Sequence, residues 1–165
     1  MAYLLNKDVF LQAQNMHYKM SFCPAFWRWL VETNKKQLLF TIDKVINGIE
    51  EDEEQQEFNS WILKHKKALC KNSASLSHEY YLINEKFRSG HFVDEAVYNF
   101  VSSYEYHLIA VAIANKYVIV THEVKNAEIK YKVNLPYFCE LIGIKCITPF
   151  EMLKLENPKF ILKEE

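Results

Sequence analysis

Four short apolar runs, at residues 2–5, 38–42, 117–121 and 144–147, alternate with stretches that carry helical spacing. Runs of that length suit strands buried on both faces, and strands alternating with helices build a mainly parallel sheet. The expected fold is therefore α/β: a single domain over residues 1–156, with a central, mainly parallel sheet of four to five strands flanked by helices. Residues 157–165 form a tail without a clear pattern. Only three Gly and four Pro in 165 residues leave too few tight turns for an all-β chain. Half-apolar composition with 15% aromatics excludes a disordered one.

Between the runs, the expected helices follow from end signals and periodicity. A helix or bent segment follows Asp8 through 10–13, and a helix over 22–34 has Pro24 near its first turn. Asp43 is a plausible N-cap for a helix carrying Val45, Ile46 and Ile49. The acidic run at 50–57 leads into a helix through Phe58 and Trp61 that ends in the basic residues 64–67, charges that match the helix dipole. A polar break at 71–75 precedes a helix over 76–87, Ser89-Gly90 is a turn, and one long helix runs from about 93 to 115. Residues 125–132 read as a basic loop or short hairpin. A short helix over 135–141 ends at Gly143, and Pro149 opens the last helix.

Twenty basic residues stand against 21 acidic ones, a net charge of −1. Bulk charge therefore cannot hold a polyanion, which must be met by a local patch or a metal. Cys23, Cys70, Cys139 and Cys146 form no C-x-x-C and no zinc-finger spacing, so they read as small core residues of a reducing compartment. No basic segment followed by an apolar one opens the chain, and the most apolar stretch, 108–120, is too short to span a bilayer. A cytoplasmic protein without a membrane segment is expected.

Ligands of open parallel sheets bind beyond the carboxyl ends of the strands. The polar residues at those ends are Asn6 and Asp8, Asp43, and His122 with Glu123; Glu105 joins them from inside an apolar helix. Converging carboxylates suit a hard cation such as Mg²⁺ or Mn²⁺, which would polarise a phosphoryl oxygen and acidify a bound water. The plain alternative is helix caps and solvated loop ends. Dinucleotide and P-loop phosphate cradles, H-E-x-x-H and G-x-S-x-G are absent. Tyr80, Tyr81, Tyr104, Tyr106, Trp27 and Trp29 read as core or interface aromatics.

Several segments in order carry a resemblance. Tyr3 to Phe10 is similar to the opening strand of PIN-like nucleases. A narrower pattern matches in Phe22-Cys23-Pro24 with Phe26-Trp27, Thr41-Ile42-Asp43-Lys44-Val45, Leu108-Ile109-Ala110 and Val120-Thr121-His122-Glu123. It continues through Lys132-Val133-Asn134-Leu135-Pro136 with Cys139, and Cys146-Ile147 before Pro149 to Leu153. Together these resemble a PIN-domain-like prokaryotic family long of unknown function, viewed as relatives of VapC-like toxins, over about residues 3–154.

The resemblance implies a metal-dependent endoribonuclease, the toxin of a toxin–antitoxin pair, with RNA as substrate and Mg²⁺ or Mn²⁺ as cofactor. Its implied partner is a cognate antitoxin of helix-turn-helix and metallopeptidase-like type, with a homodimer possible. Carried over, the catalytic positions are Asn6, Asp8, Glu105 and Glu123, of which Asp8, Glu105 and Glu123 would hold metal. On the nuclease reading His122, Lys125, Lys130 and Lys132 would contact RNA; the alternatives are a solvated loop for the lysines and an incidental loop histidine for His122. The family's Asp-x-Asn reads here as Asn6-Lys7-Asp8, and its second acid falls on Gly48, with Glu51 three residues on as a weak substitute. Fewer carboxylates weaken a cation site. The alternative expectation is thus a catalytically degenerate relative that acts by binding RNA or a partner, with the helix region from 50 to 63 as an exposed surface.

Overall fold

The first strand of the chain becomes the middle of the sheet. In a computed structural model, which describes residues 1–50, 53–72 and 75–162, β1 (Tyr3–Leu5) lies between β2 (Leu39–Phe40) and β3 (Val118–Val120), and β4 (Cys146–Ile147) flanks β3. All three pairings are parallel, with Leu4 opposite Phe40 on one side and Ile119 on the other. Every residue of β1, β2 and β3 is buried, as expected for strands covered on both faces. The expected single α/β domain with a parallel sheet is what the chain forms.

The helices are α1 (Lys7–Gln12), α2 (Pro24–Lys35), α3 (Asp43–Asn47), α4 (Gln56–Leu69), α5 (Ser77–Phe87), α6 (Asp94–Val101), α7 (Tyr104–Asn115), α8 (Leu135–Ile142) and α9 (Pro149–Glu156). A five-residue π-turn, Ala13–His17, continues α1, and a short 3₁₀ turn, Glu53–Gln55, precedes α4. Their ends follow local chemistry. Thr148 and Glu151 form a reciprocal capping box on α9. Gly143 ends α8 in the left-handed region at φ 78°, where a side chain would be strained.

Three details depart from expectation. Ile42, not Asp43, is the N-cap of α3; Asp43 lies inside the first turn and accepts from the Lys44 amide instead. The long helix over 93–115 is two helices. Ser102 and Ser103 donate their hydroxyls to the Tyr98 and Phe100 carbonyls, an alternative to helix continuation that hydroxyl side chains offer. Residues 125–132 form a loop and no hairpin.

The core joins the two helical layers to the sheet. Phe138 of α8 stacks on Phe87 of α5 at 4.6 Å, and Phe92 and Phe100 meet the same ring. On the other side Trp27 packs edge-on against Phe58 and Trp61. Phe58 is thus core and Trp61 half-buried, so the aromatics of α4 do not form the exposed surface expected of the 50–63 region. The four cysteines are free, and Cys139 is buried beside Cys146. Among the described residues no helix is long and apolar enough to cross a membrane.

Candidate carboxylate site

The strand order reverses between β1 and β3: the chain leaves β1 towards β2 on one side and β3 towards β4 on the other. That reversal opens a crevice at the carboxyl ends of the two strands. Asn6 and Asp8 follow β1, and Thr121, His122 and Glu123 follow β3, so the crevice receives both groups. The interruption between α6 and α7 brings a third element. It places Glu105 in the first turn of α7, where a carboxylate is favoured, instead of the middle of a longer helix.

Thr121 ties the crevice together. Its buried hydroxyl donates to Asp8 Oδ2 at 2.7 Å and accepts from Asn6 Nδ2 and the Glu123 amide, each at 3.2 Å. Asp8 Oδ2 also accepts from the His122 amide at 2.8 Å. The other oxygen, Asp8 Oδ1, is buried and has no hydrogen-bond partner among the described residues. Asn6, 3% exposed, caps α1 through the Lys7 amide.

Glu123 accepts from Asn134 Nδ2 at 2.9 Å and meets the Lys132 ammonium at 3.7 Å. Asn134 also receives the Asn126 and Tyr137 amides and donates to the Val124 carbonyl, so one buried amide both caps α8 and fixes the loop that carries Glu123. Burial pushes Glu105 up to about 7, and the nearby Glu123 and Asp8 add to the rise, against the opposing pull of Lys132 and the Asn6 amide. Burial, then the same three carboxylates, hold the Tyr104 phenol well above its ordinary range.

The expected site residues divide. Asn6, Asp8, Glu105 and Glu123 come together. Of the expected RNA contacts, Lys132 reaches the site, whereas Lys125 pairs with Glu140 at 3.0 Å and Lys130 reaches the Ala127 carbonyl at 3.5 Å. The His122 ring stacks on His17 at 5.6 Å. Gly48 caps α3, and an added Cβ there would stand 3.6 Å from Lys7 Nζ. That ammonium lies over the Tyr104 ring at 5.0 Å. Glu51 lies outside the described residues.

Tyr104, Thr121, Asn134 and His17 belong to the region without having been singled out for it. Tyr104 reads as one more aromatic and Thr121 as a strand residue. The signal for Asn134 is its place before Leu135-Pro136, the pattern of a helix N-cap.

Among the described residues no three His, Cys, Asp or Glu side chains already stand as a ligand cage. The fit of a hard cation rests on Asp8 Oδ1, a buried oxygen lacking a hydrogen-bond donor among the described residues, and on the closeness of Asp8, Glu123 and Glu105, the first two of which raise the third. Beside Glu105 a recess of about 170 Å³ is lined by Asn99, Phe100, Ser103, Lys132 and the exposed Tyr131. No curated protein and no solved structure matches the chain. The family described as Domain of unknown function (DUF4411) matches residues 3–160, nearly the whole chain, and the protein therefore belongs to that family.

Proposed function

We propose that the protein is a PIN-like, metal-dependent endoribonuclease, the toxin of a prokaryotic toxin–antitoxin pair that works in the cytoplasm. The single observation that carries this reading is the buried, unpaired Asp8 Oδ1 at the strand crossover, with Glu105 and Glu123 beside it. A full carboxylate charge with one oxygen left bare is costly unless a cation or proton meets it. Asp8, Glu105 and Glu123 would hold one Mg²⁺ or Mn²⁺, which when bound supplies charge neutralisation at the phosphate and an acidified water.

The chain's own groups then have distinct tasks. Thr121 and the His122 amide hold Asp8 through Oδ2, which leaves Oδ1 as the oxygen for a cation to take. Asn134 holds Glu123 in the same way. Glu105, which burial and its neighbouring carboxylates keep protonated up to about pH 7 in the metal-free protein, gives up that proton when it takes its place on the cation. Asn6 orients Thr121, and Lys132 offsets phosphate charge. RNA is the substrate, and an antitoxin of helix-turn-helix and metallopeptidase-like type is the partner, with a homodimer as a further assembly.

Calorimetric titration of Mn²⁺, paired with an RNA cleavage assay, tests the reading. Micromolar binding and cleavage, both abolished in Glu123→Gln, are expected. No heat and no cleavage at millimolar metal would overturn it. A second reading, a degenerate relative that binds RNA or a partner without cutting, is favoured by Lys7. Its ammonium lies at 3.5 Å from the Gly48 carbonyl and over Tyr104, so a fixed cation of the protein stands where the resemblance expects an acid.

A further inference from the structure

Three rings from distant parts of the chain meet at the edge of the carboxylate crevice and take no part in the core. His17 ends the π-turn, His122 follows β3, and Phe150 sits in the first turn of α9. His17 stacks on His122 with an interplanar angle of 26°, and Phe150 stands edge-on to both, at 5.2 Å and 5.4 Å. The π-turn has a local consequence: its wider winding takes His17, its last residue, out of the register of α1. Phe150 remains 48% exposed, an apolar face left in water.

The position of this shelf is fixed by His122, whose backbone amide holds Asp8. At Glu105 lies the second ring-sized feature, the recess of about 170 Å³. It is smaller than the ~300 Å³ at which pockets for drug-sized ligands begin. Its lining combines apolar Phe100 with polar Asn99 and Ser103, and includes Tyr131, which is 76% exposed. One feature adjoins each of two carboxylates, and their lining residues do not overlap.

With a net charge of −1 the protein has little electrostatic hold on a polyanion. Aromatic stacking grips unpaired bases without needing charge, and bases paired in a duplex do not present their faces. We infer that the protein holds a single strand by two unpaired bases, one stacked on the shelf of His17, His122 and Phe150, the other seated in the recess beside Tyr131, so that the phosphate between them lies at Asp8 and Glu105. The inference rests on the nuclease reading for the choice of RNA and for the role of the phosphate.

The test uses a fluorescein-labelled single-stranded RNA octamer, with chelator present to prevent cleavage, and fluorescence anisotropy as the readout. Phe150 and Tyr131 are exposed rings, so Phe150→Ala and Tyr131→Ala retain the fold, which circular dichroism verifies. Each substitution is expected to weaken binding roughly 5- to 100-fold, the effect of losing one base stack. The same sequence as a duplex is expected to bind more weakly than the single strand. Wild-type affinity in either variant, a duplex bound as tightly as the strand, or no RNA binding by the wild type would each overturn the clamp.

Mn²⁺ titration and cleavage separate this inference from the nuclease reading. A protein that cleaves RNA while both variants bind normally overturns the clamp and keeps the nuclease. A protein whose rings govern RNA binding but which takes up no Mn²⁺ and cuts nothing overturns the nuclease and keeps the clamp.

Discussion

Glu105 and Asn6 show how much a single side chain can decide in this crevice. Glu105 ionises at about 7 in the folded chain against 4.5 ordinarily. The unfolded chain therefore loses this proton first, and stability falls as pH rises from about 4.5 to about 7, then levels off. The full penalty is on the order of 3 kcal/mol. Glu105→Gln is expected to stabilise the metal-free protein at pH 8 and to leave it unchanged at pH 4, as urea denaturation at the two pH values would measure. Asn6 donates to Thr121, whose own proton goes to Asp8. An Asp at position 6 would meet a hydroxyl oxygen with no proton to offer and add negative charge beside Asp8. Asn6→Asp is expected to lower Tm in chelator and to strengthen Mn²⁺ binding; a Tm and affinity equal to wild type would remove Asn6 from the site. Asp8, Glu105 and Glu123 were legible in the sequence because acids stand out against apolar surroundings. Tyr104, Thr121 and His17 were not, since the same letters serve equally well in a core, a strand or a loop.

At the level of elements, periodicity and end signals located each strand and nearly every helix. The break between α6 and α7 was hidden because the residues on both sides continue an apolar helical pattern. At the break two serine hydroxyls bond back to the Tyr98 and Phe100 carbonyls, and serine is tolerated within helices often enough to give no warning. This break matters to the site, because it turns Glu105 from a mid-helix residue into a first-turn one. The start of α8 has comparable importance. Asn134 makes four hydrogen bonds there, of which one holds Glu123. Loss of an N-cap costs about 1 kcal/mol, and stranding its buried partners adds about 1–3 kcal/mol. Asn134→Ala is expected to lose about 2–4 kcal/mol in chemical denaturation and to weaken Mn²⁺ binding as well. A stability loss with unchanged metal affinity would separate the cap from the site.

For the molecule as a whole, the near balance of acids and bases first reads as a lack of interest in nucleic acid. The structure distributes those charges unevenly. Lys125 pairs with Glu140 at the surface, while Lys132 stands at the carboxylates. A strand bound mainly through two stacked bases and about one lysine releases few counterions. The log–log slope of RNA affinity against salt is then expected near −1, given about −0.7 per phosphate neutralised on single strands. Anisotropy between 50 and 300 mM salt measures it, and a slope several times steeper would point to a broad basic surface.

The order of the strands also has a consequence in time. β1 is made first, but its partner β3 comes some 115 residues later, the separation between Asn6 and Thr121. At ribosomal speeds of about 5–20 residues per second, roughly 6 to 23 seconds pass before that edge can be paired. Throughout, Tyr3, Leu4 and Leu5 present open backbone and apolar side chains to whatever else is nascent nearby. The most sheltered strand of the finished protein is thus the most vulnerable one of the growing chain, and its safety depends on how soon residues 118–120 leave the ribosome.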